Sequence, residues 1–305
     1  MTAFSATDAA FEGFRITRER PKIVLVWAVF AFLVSVCSAV YLVSIGQEAR
    51  AVLEASAGEQ AASPQAFLKA MGDLAPMMIM GLAVQCVMAA AVYRILLRPE
   101  DKGFAYLKLS MDEARLALLT FVYVILACLT LAVVVLAAGL IAFAASAAGG
   151  GAAILVGAAT EMFFLGLLFY AAVRLSLAPA ITFAERRLAL FDSWRLTHGQ
   201  FWRLTGAYLL AICGIVAVAL LATTIFVALT AIALGGDLQA TGAIFAPDQT
   251  SLTSYFSPVM IIYLLVAAWI SALYYAVIIA PAAIAYRELS KAPVVTTPDA
   301  KEPAA

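Results

Sequence analysis

Phe11-Glu12-Gly13-Phe14-Arg15-Ile16-Thr17, Met111-Asp112-Glu113-Ala114-Arg115-Leu116-Ala117 and Phe191-Asp192-Ser193-Trp194-Arg195-Leu196-Thr197 are three versions of one phrase. Each stands at the mouth of a long apolar run. An acid, an aromatic or small residue two places on, an Arg and a branched apolar residue recur in that order. A proline closes each unit, at Pro99, Pro179 and Pro281. The second and third phrases lie 80 residues apart, and the same offset joins Pro99 to Pro179, Arg94 to Arg174 and Arg115 to Arg195. Internal repeats decide architecture before anything else does. Here they predict a helical hairpin stated three times, with bounds near 10–99, 110–179 and 190–281.

Composition sets the class. Apolar residues make up 65% of the chain and charged residues 12%, far from the usual soluble balance. Ile23 to Gln47 and Leu74 to Tyr93 carry no charge, and Leu116 to Thr160 is uncharged for 45 residues. A helical crossing needs about 20 residues, so this last run holds two, reversed at the Gly-rich stretch Ala144 to Ala153. Leu204 to Gly236 and Gln249 to Tyr286 supply the fifth and sixth spans. The expected fold is all-α and polytopic. It has six transmembrane helices in three parallel two-helix repeats, each preceded by a short cytoplasmic interfacial helix.

Basic residues set the orientation. Seventeen of the 19 Lys and Arg flank the ends that share a side with the N-terminus, and only Arg50 and Lys69 fall opposite. Cytoplasmic loops collect such residues, so both termini are expected inside a bacterial inner membrane. An even number of spans per unit inserts every copy the same way, unlike the inverted repeats of many transporters. Residues 1–290 read as one membrane domain and 291–305, with three prolines, as a disordered cytoplasmic tail. The Pro residues are expected at helix ends: Pro76 and Pro258 at outer starts, Pro99, Pro179 and Pro281 at inner exits.

The phrase has a physical rationale. Glu12 and Arg15, Asp112 and Arg115, and Asp192 and Arg195 are i,i+3 pairs on one helix side. Phe191, Trp194, Phe201 and Trp202 are spaced to reach the headgroup boundary while Arg195 and Arg203 meet phosphates. One reading is an anchor that fixes helix depth. The other is a lipid-headgroup or partner site built from Arg15, Arg115, Arg195, Trp194, Trp202 and Arg203.

Residues Trp194, Arg195, Leu196, Thr197, Gly199, Phe201, Trp202, Arg203 and Leu204 form a Trp-Arg-Leu-Thr-x-Gly-x-Phe-Trp-Arg-Leu signature. On this segment the chain resembles the membrane domain attached to some bacterial glycerophosphoryl diester phosphodiesterases, and its stand-alone six-span relatives. The resemblance implies an integral membrane protein without an assigned reaction. The phosphodiesterase activity belongs to a separate soluble domain that implies two catalytic His and acidic metal ligands. This chain has one His, His198, in the linker before the fifth span.

Few residues could carry chemistry. Glu161 is the one acid inside a span, near mid-depth, where insertion costs about 2.5–3.5 kcal/mol. Gln85 is its expected partner by depth, the two forming an intramembrane polar site or a structural hydrogen bond. Arg94 and Arg174, each five residues before a proline, read as cations snorkelling to the interface. Gly139, Gly157, Ala158, Gly166, Gly206 and Gly214 are expected at close helix contacts. Cys37, Cys86, Cys128 and Cys213, one to a span, read as buried thiols. No nucleotide, zinc or hydrolase pattern occurs, so no catalytic residue, cofactor or metal is expected. The basic residues are too dispersed for nucleic acid. The bilayer is the expected partner, with a further membrane protein or a second copy also open.

The leading functional expectation is a non-enzymatic membrane protein that anchors, scaffolds or organises lipid and partners. The alternative is a transporter or lipid-translocating protein that uses Glu161 and Gln85 near the midplane.

Overall fold

The structure is a computed structural model, and it describes residues 4–45, 64–146, 150–237, 241–242 and 251–291. Ten helices run through the described residues: α1 (Ala6–Glu19), α2 (Pro21–Ser44), α3 (Pro64–Leu97), α4 (Met111–Ser146) and α5 (Gly150–Leu175), then α6 (Ala178–Glu185), α7 (Asp192–Leu196), α8 (Phe201–Ala233), α9 (Leu252–Tyr255) and α10 (Pro258–Lys291). Among these residues no strand forms beyond one isolated bridge, Phe104 to Leu107. Six helices are long and apolar enough to cross a membrane. The protein is an all-α polytopic membrane protein. The tail expected to be disordered, beyond 291, and most of the first and third outer loops lie outside the described residues.

α10 is the hub, packed against α1, α2, α3, α6 and α8. Its inward face is a stripe of small residues: Ala268, Ala272, Ala276, Ala280 and Ala283 are all buried. Methyl-sized side chains let backbones approach, which is how helices associate where lipid offers no hydrophobic contrast. α4 and α5 pair mainly with each other at the edge, and the most apolar stretch of α4 has no buried residue.

α1 is short and polar enough to lie at an interface. Ser5 caps it, its hydroxyl accepting from the Asp8 amide at 3.3 Å. Ala9, Ala10, Glu12, Gly13 and Ile16 form its buried side. A Cβ on Gly13 would sit 2.4 Å from the Val277 Cα, and one on Gly214 would sit 3.0 Å from the Phe14 ring. These two glycines, with the α10 alanines, make the close contacts. The other glycines expected in that role do not. Gly139, Gly157, Gly166 and Gly206 have nothing within 4 Å of a built Cβ, and Ala158 is exposed.

Several local expectations are corrected. Pro281 lies inside α10, which runs on ten residues to Lys291. Pro76 likewise lies within α3, which begins at Pro64. Helices in lipid tolerate proline where neighbours hold the freed carbonyl region, and α10 is packed on many sides. Pro99 does act as a stop, because α3 ends at Leu97. At the second phrase no separate interfacial helix forms; Met111 opens α4 itself. Of the cysteines only Cys86 is buried, while Cys37, Cys128 and Cys213 are exposed and all four are free.

Candidate functional site: three helix junctions and an intramembrane cavity

At the first junction the Arg94 side chain is fully buried, not snorkelling. It donates to Tyr106 O at 3.0 Å, to Ser110 Oγ at 3.1 Å and to Glu113 Oε1, with Asp101 at 3.7 Å. Glu113 Oε2 in turn accepts from Ser110 N at 2.8 Å and Ser110 Oγ at 2.6 Å. This is the acidic half of a capping box at the start of α4. One carboxylate thus starts a helix and neutralises a buried cation. Arg98 bonds Asp112 Oδ2 at 3.0 Å, Ala184 O at 3.2 Å and Phe183 O, and lies 4.5 Å over the Phe183 ring. The α3–α4 turn is thereby tied to α6.

The loop between them holds two non-glycine residues in the left-handed region, Ala105 (φ 50°) and Tyr106 (φ 62°). Each such residue costs about 1–2 kcal/mol. Tertiary bonds hold them: Trp27 Nε1 donates to Ala105 O at 2.9 Å, and Arg20 donates to Tyr106 Oη at 3.3 Å.

The second junction keeps a buried Arg at the same register but not the acid. Arg174 is 4% exposed, and its guanidinium lies 4.9 Å from the Trp194 ring and 5.9 Å from Tyr170. Among the described residues no carboxylate pairs with it, and its buried Nε has no hydrogen-bond partner. Ser193 Oγ donates to Arg174 O at 2.6 Å and accepts from Leu177 N at 3.2 Å. Thr197 Oγ1 also donates to Arg174 O, at 3.2 Å.

At the third junction the chain's last span meets its first phrase. The Cβ built on Gly13 would fall 2.6 Å from Ala276 O, so the helices touch backbone to backbone. Arg94, Arg174 and Ala276 each lie five residues before Pro99, Pro179 and Pro281, and their partners Glu113, Ser193 and Gly13 each hold the third place of a phrase. Three contacts therefore share one register.

The candidate headgroup residues take unequal positions around these junctions. Arg15 pairs with Glu12 at 2.7 Å and Arg115 with Asp112 at 2.9 Å, as the i,i+3 spacing suggests. Asp192 instead pairs with Arg187 at 2.6 Å, leaving Arg195 exposed without an ion pair among the described residues. The Asp192 hydrogen bond, with Glu185 second, raises the Arg187 pKa. Trp194 packs edge-on against Tyr170, and Phe201 contacts both Tyr170 and Trp202. Trp202 is 80% exposed, and Arg203 beside it is also exposed. Trp194 also covers Arg174, a contact that the spacing of the two residues does not announce.

Gln85 and Glu161 are placed differently from one another. Gln85 lines a cavity of about 340 Å³ among α3, α4, α6, α8 and α10, together with Cys86, Tyr93, Thr120, Ser176 and Tyr208. Apolar walls with a few convergent polar groups are the usual form of a ligand pocket. Glu161 does not line it; it sits on an exposed face of α5 with no hydrogen bond or ion pair among the described residues. The cavity's tyrosines come from three helices, Tyr93 from α3, Tyr208 from α8 and the adjacent Tyr274 and Tyr275 from α10, so only the fold brings them together.

No family model matches the chain, and neither the curated proteins nor the solved structures give a match.

Proposed function

We propose that this protein is a non-catalytic module of a bacterial inner membrane, both termini cytoplasmic, which organises phospholipid or a partner at its basic face. Three hairpins derived from one unit enter from that face, and the shared register of the three junctions supports this descent. The observation that carries the functional reading is the uneven pairing of the basic face. Cations at the first junction are neutralised internally, whereas Arg195 on the third phrase and Trp202 and Arg203 just beyond it stand open beside the partly exposed Trp194. Rings of that kind settle at headgroup depth, and unpaired Arg beside them meets phosphate.

The test is lipid retention. The protein is purified in mild detergent and its bound phospholipid quantified, beside a variant carrying Arg195→Gln, Trp202→Ala and Arg203→Gln. The expected result is clear loss of retained anionic lipid with unchanged helicity. Equal retention in a folded variant would overturn the reading.

A second reading, transport or lipid translocation, is favoured by the cavity around Gln85. It moves the route from Glu161 to Gln85. Gln85→Leu should then abolish flux in proteoliposomes, and wild-type flux in that variant would remove the cavity from any transport path.

A further inference from the structure

We propose that Arg174 is the cationic centre of a phosphate-binding site at the second junction, taking a phosphodiester headgroup or free phosphate. This rests on the lipid-organising reading above and gives it a site.

Comparison of the three junctions carries the proposal. At the first, a buried guanidinium faces a buried carboxylate, Arg94 on Glu113. At the third, both charges are replaced by Ala276 and Gly13, and the space is closed by backbone contact. At the second, the cation is kept and the acid is not: Ser193 stands where Glu113 stands. A buried charge without a counter-charge is strongly disfavoured. Ser193 is neutral and supplies no counter-charge, and its hydroxyl is already engaged by Arg174 O and Leu177 N. Asp192 is held by Arg187. Trp194 and Tyr170 attract the cation through their faces but carry no net charge. The missing anion comes from outside the chain. A phosphate matches the guanidinium fork with paired, charge-assisted hydrogen bonds. Trp194 and Tyr170, both about two-fifths exposed, frame the approach.

The experiment uses the full chain in neutral detergent, following thermal midpoint against three titrants: dihexanoyl phosphatidylglycerol, dihexanoylglycerol and inorganic phosphate. In the wild type the phosphatidylglycerol should raise the midpoint and dihexanoylglycerol should not. Arg174→Gln should weaken that response at least about tenfold, while Arg287→Gln, at a half-buried site near the end of α10 beside Glu288, should keep it. Inorganic phosphate matching the lipid's effect assigns the site to a free anion; a response needing the acyl chains assigns it to a headgroup. If dihexanoylglycerol stabilises the wild type equally, no phosphate is recognised and the proposal falls, whether or not the variant folds. If folded Arg174→Gln binds the phosphatidylglycerol undiminished while the Arg195/Trp202/Arg203 variant does not, the Arg174 site falls and the lipid-organising reading stands. If phosphate alone binds through Arg174, the site stands and that reading falls.

Discussion

Replacing Glu113 with Ala removes the counter-charge of a fully buried cation. Arg94 is 0% exposed, and the Glu113 side chain is 6% exposed. Breaking a buried pair by deleting one partner costs about 3–5 kcal/mol, because the remaining charge is stranded. Asp101, at 3.7 Å and one-third exposed, offsets only part of this. The change also removes two acceptor contacts to Ser110 at the start of α4, worth about 1 kcal/mol by analogy with lost caps. A loss of about 3 kcal/mol or more follows, more than a hundredfold in the folded-to-unfolded ratio. The assay is SDS or thermal unfolding in detergent, read by circular dichroism. The double variant Arg94→Met, Glu113→Met removes both charges, and a buried pair replaced by apolar volume is often neutral or better. It should therefore be more stable than Glu113→Ala. A Glu113→Ala midpoint equal to wild type, or a double variant less stable than the single, would refute the reasoning.

Gly13→Ala should push α1 off α10, since the new methyl group would meet the Val277 Cα at 2.4 Å; increased protease cutting near residue 13 checks this. Trp27→Phe keeps most of the buried ring but loses the 2.9 Å bond to Ala105 O that holds a left-handed residue. About 1 kcal/mol of stability should go, read by chemical unfolding. Arg15→Gln should cost less than Glu113→Ala, since Arg15 itself is 55% exposed, but more than loss of a wholly exposed pair, because the Glu12 side chain is 8% exposed and loses its counter-charge; chemical unfolding checks this. Wild-type stability in that variant would contradict the burial of Glu12 against its neighbours.

Charge-free runs and the distribution of Lys and Arg made the six spans legible, because crossing lipid constrains composition directly. Proline was a poorer guide. Pro99 stops α3, yet Pro281 and Pro76 sit inside helices whose surroundings are tertiary facts. Arg94 was misread as snorkelling for a similar reason. Its partner Glu113 lies 19 residues on, across a turn whose path only the fold reveals. One signal was present: Ser110 followed by Glu113 is half of a capping box, and Glu113 is the only acid in the third place of any phrase. Of the expected glycines Gly214 meets a neighbour and Gly139, Gly157, Gly166 and Gly206 do not, because spacing cannot say which side of a helix is packed. Gly13, inside the phrase itself, makes the tightest of these contacts.

The most direct measurement is sidedness of single cysteines in a background lacking the four native ones. Cysteines replacing Gln65, Gly150 and Thr253 sample the three ends expected outside, and those replacing Phe104 and His198 sample the face expected inside. The expected result is that the first three react with an impermeant maleimide on intact cells and the last two only after permeabilisation. Any one of the outer three sharing the protection of His198→Cys would contradict entry of all three hairpins from one face.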